Sequence, residues 1–121
     1  MRKILFRGKM KHSGEWIYGN YIYAPNDTIV HSIWEPSDPF DWYEIDPSTV
    51  GQYVGLKDMD GKEIFEGDIL ESPVHPVGQE RGHLILIKDI RDCKFVALFA
   101  SDYMVTGNRY DNPELLEVEQ E

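Results

Sequence analysis

The stretch Val50–Leu70, Val-Gly-Gln-Tyr-Val-Gly-Leu-Lys-Asp-Met-Asp-Gly-Lys-Glu-Ile-Phe-Glu-Gly-Asp-Ile-Leu, admits few folds because strand and turn signals alternate in it every few residues. Val50, Gln52, Val54 and Leu56 alternate with Gly51, Tyr53 and Gly55, the period of two at which side chains leave opposite faces of a strand. Glycines on the second face mean that another backbone lies close or that the strand bulges and bends. A bent strand points to a small barrel. Lys57–Lys62 then has turn chemistry, since Asp60 tolerates a left-handed conformation and Gly61 adopts it without steric cost. Ile64 and Phe65 precede a second turn at Glu66-Gly67-Asp68, and Ile69-Leu70 opens a new strand. Asp68, an acid beside an apolar pair, is expected to accept hydrogen bonds from nearby backbone amides.

The rest of the chain also reads as β. Ile4, Leu5 and Phe6 centre a first strand at about residues 2–7, and Lys11-His12-Ser13-Gly14 is a turn. Glu15–Ala24 holds Trp16, Ile17, Tyr18, Tyr21, Ile22 and Tyr23, broken only by Gly19-Asn20. We read it as one long strand kinked or bulged at Gly19, because a hairpin there would leave each arm with three good strand residues. A turn at Asn26-Asp27 leads to a strand at Thr28–Trp34. Pro36, Pro39 and Pro47 mark Glu35–Ser48 as a loop, with Phe40, Trp42 and Tyr43 inside it. Ser72–Gly82, with Pro73, Pro76, Gly78 and Gly82, forms a second loop. His83–Ile90 and Lys94–Ala100 read as two strands of a central hairpin, on the strength of their apolar runs. Asn112-Pro113-Glu114 has the cap residue, first-turn proline and acids that start a helix, here of one or two turns.

The run from Val50 to Leu70 resembles the signature of the YopX family, proteins carried by bacteriophages and prophages. In that signature a strand ending in glycine-leucine precedes an acidic-glycine turn and a glutamate-glycine-aspartate turn. The resemblance extends to Met1–Gly8, to Glu15-Trp16-Ile17-Tyr18-Gly19 and to Gly107–Leu116, and is weakest at about 25–45 and 73–95. It implies an all-β (mostly β) fold with strongly bent sheets forming an SH3-type barrel, and no assigned activity.

At 121 residues and 41% hydrophobic content the chain suits one globular domain, 1–121, with a modest core. No apolar run approaches the roughly 18 residues of a membrane span, and the N-terminal residues lack the apolar core of a secretory signal, so a cytoplasmic location in a host cell is expected. Cys93 is the single cysteine, in keeping with a reducing compartment. Charge is uneven: residues 1–12 carry +5 from Arg2, Lys3, Arg7, Lys9 and Lys11, and residues 13–121 carry −15, giving −10 overall. A basic arm could neutralise phosphates, but the acidic remainder repels nucleic acid. The arm is therefore read as a strand whose cations face acidic neighbours.

No catalytic or metal signature survives inspection. Laid on the calcium-loop frame with Gly61 at its glycine, Asp58 and Asp60 fit, but Leu56 and Gly67 fall on the first and last ligand positions. His12, His31, His75 and His83 lack zinc spacing, and nucleophile elbows and phosphate loops are absent. The aromatics Phe40, Trp42 and Tyr43 either cover the barrel mouth or form an exposed binding surface; the expected role is a non-enzymatic protein-interaction module without metal or cofactor, binding a host or phage protein through these aromatics and the surrounding acids, with self-association through exposed barrel or sheet edges as a separate possibility. Two alternatives remain: a small barrel that binds nucleic acid through the basic arm with Trp16 or Tyr18 as stacking platform, and an acidic, DNA-mimicking inhibitor of a host enzyme.

Overall fold

The computed structural model of the chain describes residues 5–25, 29–34, 42–92 and 96–118. They gather into two compact units, Met1–Tyr53 and Val54–Glu121. In both, the described strand pairings are antiparallel.

The first unit begins with β1 (Phe6–Lys9), and β2 (Trp16–Pro25) returns beside it after a turn in which Gly14 takes a φ of +74°. The aromatic and β-branched run is one strand, as expected from its composition. It changes partner at the expected kink: residues as far as Gly19 pair with β1, and Asn20 onward pair with β3 (Ile29–Trp34). The turn expected at Asn26-Asp27 lies outside the described residues. Next comes β4 (Trp42–Glu44), paired with β3 so that Ile33 faces Tyr43. The loop expected over Glu35–Ser48 is corrected here, at Trp42–Glu44. Proline and aspartate dominate the window, but three residues with Trp-Tyr among them are enough to extend a sheet when Ile33 supplies a buried partner. A 3-10 turn at Pro47–Thr49 follows, capped by the Asp46 carboxylate, which accepts from Ser48 N at 3.0 Å and from Ser48 Oγ at 2.8 Å. Thr49 Oγ1 then accepts from Lys9 N at 2.9 Å, holding the turn against β1. Among the described residues of this unit, Ile33, Ile45 and Tyr53 are buried and apolar. Gly8 packs under Ile45, where an added Cβ would lie 2.8 Å from Ile45 Cδ1.

The chain passes into the second unit within β5 (Gly51–Lys57), whose first residues pair with β1. Gly55, at φ +88°, supplies the bend that glycine in this strand foreshadows. The Asp60-Gly61 turn leads to β6 (Glu63–Phe65), and Gly67, at φ +92°, turns the chain into β7 (Asp68–Glu71). Strand β7 is buried throughout and lies between β8 (Leu84–Leu86) and β9 (Met104–Asn108). Its alternation serves two cores. Leu70 joins Val54, Ile64, Ile87, Val96 and Ala100, while Ile69 joins Leu84 and Leu115, the latter from the C-terminal helix Glu114–Val118. A register shift opposite Ile69 and Leu70 bends β9.

The hairpin expected from His83–Ile90 and Lys94–Ala100 is not formed. Only Leu84–Leu86 is strand, its partner is β7, and Ile90–Asp92 is a 3-10 turn. Lys94 lies outside the described residues, and from Val96 onward the chain turns through i to i+3 hydrogen bonds, Phe99 N to Val96 O at 3.1 Å and Asp102 N to Phe99 O at 2.9 Å. Val96 and Ala100 are buried at a spacing of four with Leu98 79% exposed between them, a helical spacing that an unbroken apolar run conceals. The central strand is β7. The named strand pairings by themselves leave both sheets open.

Candidate interaction surface

The acids of the Val50–Leu70 stretch hold turns together. Asp58 Oδ1 accepts from Asp60 N at 2.9 Å and Lys62 N at 2.8 Å, and Oδ2 reaches Val105 N at 2.9 Å. Burial works to raise its pKa, but the amides of Val105, Lys62 and Asp60 together with the Lys62 charge outweigh it, and the carboxyl sits below its ordinary value. Asp68, fully buried, accepts from Phe65 N at 2.8 Å, as its position beside Ile69 leads one to expect. Glu66 Oε2 accepts from Ile90 N at 2.7 Å. Among the described residues no three His, Cys, Asp or Glu side chains are grouped so as to hold a metal ion.

A fourth acid builds something different. Glu71, the last residue of β7, is buried, and it accepts from Arg81 Nη1 at 3.1 Å through Oε1 and from Gly82 N at 3.2 Å through Oε2. Ser72 N donates to His83 O at 2.9 Å. Gly82 fits only without a side chain, since a Cβ would lie 1.9 Å from Ser72 O. The two ends of Ser72–Gly82 are thus clamped together by one carboxylate and one close backbone contact. Beyond this neck the segment stands in solvent from Pro73 to Arg81. Gln79 N donates to Pro76 O at 3.0 Å and Gly78 has a φ of +84°, forming a turn with Val77 at its first corner. Val77 is fully exposed and Val74 is 73% exposed. Each leaves unused about 1.5 kcal/mol or more that burial of its side chain would contribute.

Of the residues read from sequence as a binding surface, Phe40 lies outside the described residues, Trp42 stands in β4 opposite Trp34, and Tyr43 is half-buried opposite Ile33. The described cations of the basic arm have neighbours within the fold. Arg7 and Lys9 share one face of β1, with the Arg7 guanidinium 4.6 Å and the Lys9 ammonium 5.7 Å from the centre of the Trp16 ring. Lys11 lies 3.7 Å from the Glu44 carboxylate, an acidic neighbour of the kind expected; Arg2 and Lys3 lie outside the described residues. A shallow cavity of about 380 Å³ is lined by Lys9, Met10, Lys11, Gly14, Asp46 and Pro47.

Sequence reasoning marked Ser72–Gly82 as a loop and missed its clamp, because the Glu71 partners are ten and eleven residues away. A readable signal was the Pro-Val-His-Pro-Val run, Pro73–Val77, in which aliphatic residues recur beside proline instead of the polar residues usual in turns.

The fold and these surfaces can be set beside known proteins. No curated protein matches the chain. Among solved structures, the crystal structure of protein EF1440 from Enterococcus faecalis is similar, with a TM-score of 0.56 and 23% identity over 96% of this chain and 99% of that one, a likeness of fold. The family described as YopX protein matches residues 5–117, taking in both units from the residue before β1 to the C-terminal helix, and the chain belongs to that family.

Proposed function

We propose that the chain is a non-enzymatic protein-interaction module working in the host cytoplasm, with a host or phage protein as partner and no cofactor. The observation that carries this reading is the clamped segment Ser72–Gly82: a buried carboxylate is committed to its neck, and two valines of the segment, Val74 and Val77, stand in water. Side chains held out in this way serve contact with another surface better than they serve the fold. Trp42 and Tyr43 belong to the same reading as a second contact region on β4, the last strand in the order β4-β3-β2-β1. The nucleic-acid reading is weaker on geometry, since stacking a base on Trp16 competes with Arg7, a buried cation already over that ring.

An SH3-type barrel is the finer fold assignment we attach to the first unit. It is supported by the bridge between Met10 and Ile45, by Lys11 N donating to Glu44 O at 3.0 Å, and by Asp46 N donating to Lys9 O at 2.9 Å, which draw the chain leaving β4 back to β1.

The test is affinity capture from nuclease-treated bacterial lysate with the wild-type chain and with a V74S/V77S double variant. A protein retained by the wild type and lost by a variant of equal thermal stability supports the reading. Retention that is equal for the wild type and the variant, or that disappears on nuclease treatment, rejects it.

A further inference from the structure

We infer that the free edge of β8 pairs antiparallel with β8 of a second copy of the chain, joining two three-stranded sheets edge to edge about a twofold axis at Ile85. The hydrogen bonds of β8 to β7 fix which groups are left over. Ser72 N donates to His83 O at 2.9 Å and Ile87 N donates to Asp68 O at 2.9 Å, while Leu70 stands opposite Ile85. Bonding alternates along an antiparallel ladder, so His83, Ile85 and Ile87 turn their backbone groups to β7. Leu84 and Leu86 turn theirs the other way. β8 ends the order β8-β7-β9, and among the described residues no hydrogen bond meets Leu84 or Leu86 on that side. Other strand edges are covered from within: Asp58 Oδ2 accepts from Val105 N of β9 at 2.9 Å, and Glu44 O of β4 accepts from Lys11 N at 3.0 Å. An edge left uncovered is a template for another strand.

A second copy fits this edge in one register better than in its neighbours. With Ile85 opposite Ile85, Leu84 of each copy meets Leu86 of the other, and all the outward amides and carbonyls of the two leucines pair. That register also sets Arg81 of one copy against Asp89 of the other, twice over, at positions where the Arg81 side chain is 51% and the Asp89 side chain 33% exposed. Lys88 falls opposite Gly82, which has no side chain to compete for the space. Centring the pair on Leu86 instead would oppose Arg81 to Arg91, and centring it on Leu84 would call on Gly82 N, already donated to Glu71 Oε2 at 3.2 Å. Half-buried Ile85 and Leu86 gain cover in the pairing. So short a strand makes a weak, reversible dimer.

Sedimentation of the full chain, at concentrations up to about 1 mM and in about 0.3 M salt to screen the −10 on each copy, gives the mass. Residue-resolved hydrogen exchange over the same range gives the place. A concentration-dependent rise to twice the chain mass is expected, with the Leu84 and Leu86 amides gaining protection relative to Ile85. L86P removes an N–H that the fold leaves unused and is expected to weaken association at least about tenfold while thermal stability holds. A monomer throughout overturns the inference. So does association without added protection at Leu84 and Leu86, which leaves the wild-type chain decisive even where L86P does not fold. A lysate protein still captured by monomeric L86P and lost by V74S/V77S separates this pairing from the interaction reading above, which stands or falls on its own.

Discussion

Asp58 shows how much one side chain can carry. Its two oxygens take three backbone amides from a turn and from β9, forty-seven residues further on. D58N keeps the shape but removes the charge and turns an N–H₂ toward donors, and is expected to lower unfolding free energy by about 2 kcal/mol. The pH dependence follows from the lowered pKa. The folded carboxyl holds its proton less tightly than the unfolded one, so its contribution is complete above the unfolded value, about 4, and drains away as pH falls through the folded one. Urea midpoints for wild type and D58N therefore differ most at neutral pH and converge as pH drops below about 4; a gap that stays constant would rule out the charge as the cause. Asp58, Asp60 and Gly61 were legible in the sequence because turn chemistry is local. Glu71 was not, since its partners are set by where a loop comes back.

Among the elements, the clearest lesson comes from Leu84–Asp102. Long apolar runs suit a buried strand and a buried helical turn equally, and period alone does not separate them when every residue is apolar. The structure places Val96 in the larger core and Leu98 in water. V96D is expected to cost about 3 kcal/mol or more by burying an unpaired charge, and L98D to change stability by less than about 0.5 kcal/mol; chemical denaturation of the two variants checks both. Equal, large losses would mean a strand buried on both faces. By contrast β2 was legible as one strand, because Trp, Ile and Tyr on both sides of Gly19-Asn20 leave little room for a turn. Strand β4 was hidden among prolines, and the aromatics within it looked like loop residues for that reason.

Over the whole molecule, the family was legible through the resemblance of Val50–Leu70 to its signature and a mostly β class through the alternation of strand and turn residues, whereas pairing between distant strands was not. Nothing in Met104–Asn108 announces that it is the second partner of β7. Charge acts at this scale too. With a net charge of −10, the folded chain repels itself more than the expanded one. Raising salt from about 10 mM to about 500 mM shortens the screening length from roughly 30 Å to a few Å and is expected to raise the urea midpoint; an unchanged or lower midpoint would show that the ion pairs at Lys11, Arg81 and Arg91 outweigh the repulsion. The neck closed by Glu71 and Gly82 has an evolutionary consequence. Because the clamp lies at the base, exchanges at exposed positions such as Val74 and Val77 leave every core position as it stands, so on the proposed interaction reading a lineage could alter its partner through two codons.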